Sequence, residues 1–120
     1  MIMKKEDIES YEELWSKLVS IKKDIALLSS KKPSDQLNKF KIKYINDVLS
    51  KVNTLIGGYK PYVDFDVFDE VALPTNSDAL MMINLYLNSM ERYRKHNSTE
   101  KVVGVDWEHT ESVWNTEEEG

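Results

Sequence analysis

Residues 11–28 read YEELWSKLVSIKKDIALL, and within them Tyr11, Leu14, Leu18, Ile21, Ile25 and Leu28 recur at spacings of three, four, three, four and three. A 3.5-residue apolar repeat keeps one seam turned toward a neighbouring helix over several turns. The spacing therefore predicts a helix over 6–29 that packs lengthwise on a partner. Glu6, Asp7, Glu9, Glu12 and Glu13 crowd its first turns, where the helix dipole favours negative charge. Trp15, Val19 and Ala26 widen the seam, which suits a globular bundle better than an isolated two-stranded coiled coil.

Outward from this helix, Ser29-Ser30-Lys31-Lys32-Pro33-Ser34 is a short polar link. Pro33 disfavours helix at Lys32, and Ser34 or Asp35 is a suitable N-cap. A second helix is expected over 35–56, antiparallel to the first because the link is short, and ended by Gly57-Gly58. Its apolar residues form two rows, Ile42, Ile45, Leu49, Val52, Ile56 and Leu37, Phe40, Tyr44, Val48, Leu55. Two rows imply two partners, so this helix is expected at the centre. Pro74-Thr75-Asn76-Ser77-Asp78 is a helix-start cluster, and a third helix over 77–96 carries Leu80, Ile83, Leu87 and Met90 on one row. Arg92, Arg94, Lys95 and His96 gather at its C-terminal end, with Asn97 as a cap.

Between helices two and three, Val63, Phe65 and Val67 alternate with Asp64 and Asp66, the period of a half-buried strand. Val103, Val105 and Trp107 alternate in the same way, so a small β element near 63–67 and 102–107, or a hairpin within the tail, is expected. The expected fold is mainly α: a three-helix antiparallel bundle, a long helical hairpin plus a third helix. Residues 1–97 form the bundle domain and 98–120 an acidic, Trp-containing C-terminal extension.

The chain has 120 residues, enough for one domain with a modest core. Its longest apolar run, Ala79-Leu80-Met81-Met82-Ile83, is far too short to cross a bilayer. Residues 1–7 lack the apolar stretch of a leader. There is no cysteine, which excludes disulfides, thiolate metal sites and cysteine nucleophiles. These features lead us to expect a cytoplasmic protein with no membrane contact. Lysine outnumbers arginine fourteen to two, a bias that fits an AT-rich genome such as that of a low-GC bacterium or one of its phages.

The net charge of −5 is unevenly spread. Residues 31–58 carry six lysines against Asp35 and Asp47, a local +4, whereas residues 98–120 carry Lys101 against seven acids, a local −6. Lys39, Lys41 and Lys43 alternate with Phe40 and Tyr44, but 39, 41 and 43 do not share one helical face. The aromatics are therefore expected in the core and the lysines in solvent. Nucleic acid is disfavoured as a partner because an acidic protein is repelled by it.

Reactive constellations are incomplete. Glu6, Glu9 and Glu12 resemble half of a magnesium site of helical pyrophosphatases, but the facing helices offer only scattered acids. Asp64, Asp66 and Asp69 lack the glycine and the further acid of a calcium loop. Arg92 and His96 stand closer together than the Arg–His pairs of small helical ribonucleases. No metal, cofactor or catalytic residue is assigned.

Trp107 and Trp114 lie among Asp106, Glu108, Glu111 and Glu117. Tryptophan is a common interface anchor, so these two, with Trp15, are the candidate protein-binding residues. The expected function is a small non-enzymatic interaction protein, an adaptor or inhibitor, which binds a protein partner or itself through an apolar helix face and its acidic tail. One alternative is a nucleotide or small-ligand binder walled by Tyr59, Lys60, Tyr62, Arg92 and Arg94. The other is a helical ribonuclease or metal-dependent phosphohydrolase.

Overall fold

The computed structural model describes residues 4–102 and 110–114, with side chains described over 4–97. Three helices, α1 (Lys5–Lys31), α2 (Lys39–Ile56) and α3 (Asn76–His96), form a bundle. The seam of α1 is as expected: Tyr11, Leu14, Leu18, Ile21 and Ile25 are buried and Leu28 is half-buried. They meet Ile42, Ile45, Val48, Leu49, Val52 and Ile56 of α2 and Ala79, Ile83, Tyr86, Leu87, Met90 and Tyr93 of α3 in one continuous core.

α2 starts at Lys39 rather than at residue 35, with Asn38 as its cap accepting from the Lys41 amide at 2.8 Å. The backbone of 35–37 is used otherwise. Leu37 N–H donates to the Pro74 carbonyl at 3.0 Å and Asn76 N–H to the Asp35 carbonyl at 2.8 Å, an antiparallel bridge between Gln36 and Thr75. The bridge sets the start of α3 beside the start of α2. At the other end Gly57 terminates α2 with φ of 51°, a left-handed backbone that glycine adopts without a Cβ penalty. A 3₁₀ turn at Gly57–Tyr59 then brings Tyr59 edge-on to Tyr93, near the end of α3. Hence α2 and α3 run in the same direction, and α1 runs antiparallel to both.

A parallel pair needs a long return, and residues 60–75 supply it as a strap along the bundle. The expected strand at 63–67 is not formed; this stretch is turns and bends. Its backbone polar groups are satisfied by helix side chains instead of a neighbouring strand. Asn46 donates to the Phe68 carbonyl at 2.8 Å and accepts from the Phe68 amide at 2.9 Å. Asn53 donates to the Asp66 carbonyl at 2.8 Å and accepts from the Tyr86 hydroxyl at 2.6 Å. Phe65 and Phe68 pack edge to face under the strap, and Phe65 also meets Tyr86. The strap thus fills the space between α2 and α3. For that reason α1, rather than α2, is the helix closely packed on both others, a correction to the expected order.

After Asn97, β1 (Ser98–Val102) pairs antiparallel with β2 (Thr110–Trp114), with Ser98 opposite Trp114. This hairpin does not include 63–67. Residues 103–107, the rest of the expected element, lie outside the described residues.

Three buried phenols make the fold sensitive to alkali. Tyr11 donates its hydroxyl to the Met90 carbonyl at 3.0 Å, tying α1 to α3. Burial pushes the phenols of Tyr11 and Tyr93 upward, and that of Tyr86 from 10.0 up to about 12. The folded state therefore keeps protons that the unfolded chain releases above pH 10, and stability falls with rising pH in that range. Helicity is expected to hold to about pH 10 and to be lost as pH climbs toward 12. Circular dichroism recorded together with phenolate absorbance tests this; all six tyrosines ionising near pH 10 with helicity intact would contradict it.

Candidate protein-interaction surface

The second apolar row of α2 does not stay in the core. Leu37 and Val48 are buried and Leu55 half-buried, but Phe40 is 83% exposed and Tyr44 48% exposed. The expectation that both aromatics enter the core is corrected here. α3 and the strap cover one side of the α1–α2 pair, and the other side has no covering element among the described residues.

On that open side, Phe40 and Tyr44 stand over a hollow of about 120 Å³ whose floor is Ile21, Ile25 and Ile45. Asp24 and Lys41 also line it, and the same two residues line the adjoining depression with Leu27, Leu28 and Lys31. Leu27 is 63% exposed. The result is one apolar groove along the C-terminal half of α1 and the N-terminal half of α2. Lys31 and Lys41 stand at its edge, Lys32 and Asp35 lie just beyond at the interhelical link, and Lys39 and Lys43 are exposed on the same turns of α2. Against Asp24 and Asp35, Lys31, Lys32 and Lys41 leave the rim positive.

The remainder of the α1–α2 face is different in kind. A hollow of about 430 Å³ lies toward the start of α1, lined by Asp7, Ser10, Glu13, Lys17, Lys51 and Thr54 beside Leu14 and Leu55. Here charges pair locally: Glu13 with Lys17 at 3.0 Å, and nearby Asp47 with Lys51 at 3.4 Å. Exposed pairs of this kind add little to stability and present no apolar anchor.

The candidate residues fall in several places. Trp15 is half-buried on α1, its ring stacked on Tyr11 at 6.1 Å, and Tyr11 in turn stacks on Tyr93 at 6.1 Å. Trp15 thus extends an internal aromatic stack and is not part of the groove. The backbone of Trp114 pairs with that of Ser98; Trp107 lies outside the described residues.

Four of the five residues of the alternative ligand wall are engaged separately. Tyr59 packs edge-on to Tyr93 and His96. Lys60 pairs with Asp66, and Tyr62 is exposed. Arg92 donates to the Ser89 hydroxyl at 3.2 Å, while Arg94 binds Glu91 at 2.6 Å and holds that carboxyl below the ordinary range. Arg92 and Arg94 are two positions apart, so they do not share a helical face.

Of the acids considered for metal binding, Asp69 accepts from the amides of Val71 and Ala72, which hold its carboxyl below the usual range. Asp66 faces Lys60. Among the described residues, no three His, Asp or Glu side chains are grouped as metal ligands, and no helix is long and apolar enough to cross a membrane.

Comparison with protein-family models, curated proteins and solved structures gave no match. The groove residues Leu27, Phe40 and Tyr44 are the ones sequence reasoning placed wrongly or passed over. The available signal was the width of α2's apolar surface, two rows where a three-helix body covers little more than one.

Proposed function

We propose that this protein is a small non-enzymatic interaction module, an adaptor or inhibitor, which binds a protein through the α1–α2 groove. The observation that carries this reading is the exposure of Leu27, Phe40 and Tyr44 over one continuous apolar floor. Apolar surface gathered in one place and rimmed by polar residues is characteristic of binding faces, whereas isolated exposed apolar residues are ordinary. Aromatic anchors over a pocket are the usual seat of interface energy. The lysine rim supports selectivity for an acidic partner, since rim charges steer encounter and reject like-charged surfaces.

Substituting Phe40→Ser tests the reading. The side chain makes little of the core, so the melting temperature should change by no more than a few degrees, on the order of 0.5 kcal/mol. Complex formation, followed by light scattering of the purified chain and by pull-down from the native host, should weaken at least tenfold. Met81→Ser, a change at an exposed residue of α3, should leave binding intact. A full-length chain that remains monomeric and captures nothing, or binding that survives Phe40→Ser unchanged, contradicts the reading.

A further inference from the structure

The groove reading leaves its occupant open, and three observations together select one. The rim of the groove carries Lys31, Lys32 and Lys41 against Asp24 and Asp35. The most acidic stretch of this chain is its own C-terminal segment, with Glu111, Glu117, Glu118 and Glu119 flanking Trp114. An acidic segment with an aromatic anchor matches a lysine-edged apolar groove in both charge and chemistry.

The third observation decides between cis and trans. α2 and α3 are parallel, so α3 ends beside Tyr59, at the opposite end of α2 from Phe40. Eighteen residues of α2 separate these ends by about 27 Å. The hairpin register returns Trp114 to a position opposite Ser98, immediately after α3. Within one molecule, Trp114 is therefore held at the wrong end. Trp114 to Glu119 is five residues, at most about 18 Å even fully extended, less than the length of α2.

We propose, on the basis of the groove reading, that the groove of one molecule takes up the acidic Trp114-bearing segment of a second copy of this chain, and that the exchange is mutual. A two-fold axis across the bundles sets the α3 end of each copy beside the Phe40 end of the other. Both grooves are then filled by one self-complementary contact, the commonest form of closed assembly. Because opposite charges face each other at a solvent-accessible rim, the dimer should weaken as salt rises from 0.1 to 1 M and screening shortens from about 10 to about 3 Å.

Charge exchange in the full-length chain provides the test. One variant carries Lys31→Glu and Lys41→Glu; the other carries Glu117→Lys, Glu118→Lys and Glu119→Lys. Sedimentation of the wild type at about 100 µM, well above a micromolar Kd, should give twice the 14.0 kDa of one chain. Each variant alone should sediment as a monomer with unchanged helicity, because like charges then face each other. An equimolar mixture of the two should again give the dimer mass, since each groove then meets a tail of opposite sign. A monomeric wild type overturns the exchange. So do variants that dimerise as the wild type does, and so does a mixture that stays monomeric. The two readings fail separately: a monomeric chain whose binding to another protein still depends on Phe40 overturns only the self-exchange, and one with no such binding overturns both.

Discussion

Truncating Asn46 to alanine is expected to destabilise the fold by about 2–6 kcal/mol, an effect out of proportion to the few atoms removed. Asn46 is buried on α2 and makes both hydrogen bonds to the backbone of Phe68, at 2.8 and 2.9 Å. Without it, a buried amide and a buried carbonyl both lose their partner, and each orphaned group costs about 1–3 kcal/mol. Phe68 sits in the core beneath the strap, so water reaches those groups only if the strap lifts. Chemical denaturation should show the loss, and the Phe68 amide should lose most of its hydrogen-exchange protection. Asn53→Ala removes a more exposed contact to the same strap and the acceptor of the Tyr86 hydroxyl, which still faces the Asp66 carbonyl at 3.5 Å, and should cost about 1–2 kcal/mol. Equal effects of the two substitutions would contradict the view that Asn46 is the principal clamp.

Leu18→Ala should be comparably damaging, at about 3–5 kcal/mol, whereas Leu27→Ala should lie within about 0.5 kcal/mol of wild type. The two leucines share a helix and a side chain, and differ only in direction. Leu18 is fully buried at the middle of the seam, and Leu27 projects into solvent at the groove. The lost transfer energy of Leu18 is joined by the cost of the cavity left between three helices that cannot collapse onto it. For a bundle of this size the change corresponds to a fall in Tm on the order of 15–30 °C. Leu27→Ala should instead weaken association, since it removes part of the exposed apolar rim. Similar stability losses for both residues would mean that the register of α1 is misassigned.

How far the sequence foretold this molecule depended on how local the controlling physics was. The seam of α1, the stop at Gly57 and the cap cluster before α3 are set by neighbours within a few residues, and all were legible. The start of α2 was not, because Asp35–Leu37 is claimed by a bridge to Pro74–Asn76, some forty positions away. The alternation at 63–67 imitated a strand for a similar reason. Val63 and Val67 are exposed with Asp64 and Asp66, only Phe65 turns inward, and the backbone is held by Asn53 on α2, a distant partner that nothing in the local pattern reveals.

The groove was half legible. The two-row width of α2 implied a second partner, but periodicity cannot say whether that partner is an element of the same chain or another molecule. Periodicity alone accordingly directs Phe40 to a core that it does not enter. The proposed wall of Tyr59, Lys60, Tyr62, Arg92 and Arg94 drew on residue type and nearness in sequence, and ion pairs with Asp66 and Glu91 take up Lys60 and Arg94.

The central claim is that the open α1–α2 face, and not the α3 face or the strap, is where this protein is bound. Amide chemical shifts of the isotope-labelled full-length chain, followed from dilute to concentrated solution, test it most directly. The account predicts that concentration-dependent shifts gather in 21–31, 39–48 and 110–114, with the C-terminal end of α3 beside them, and spare the rest of α3 and the strap at 60–75. Shifts centred on Met81 and Leu85 of α3, or on Val63, Val67 and Val71 of the strap, would contradict it.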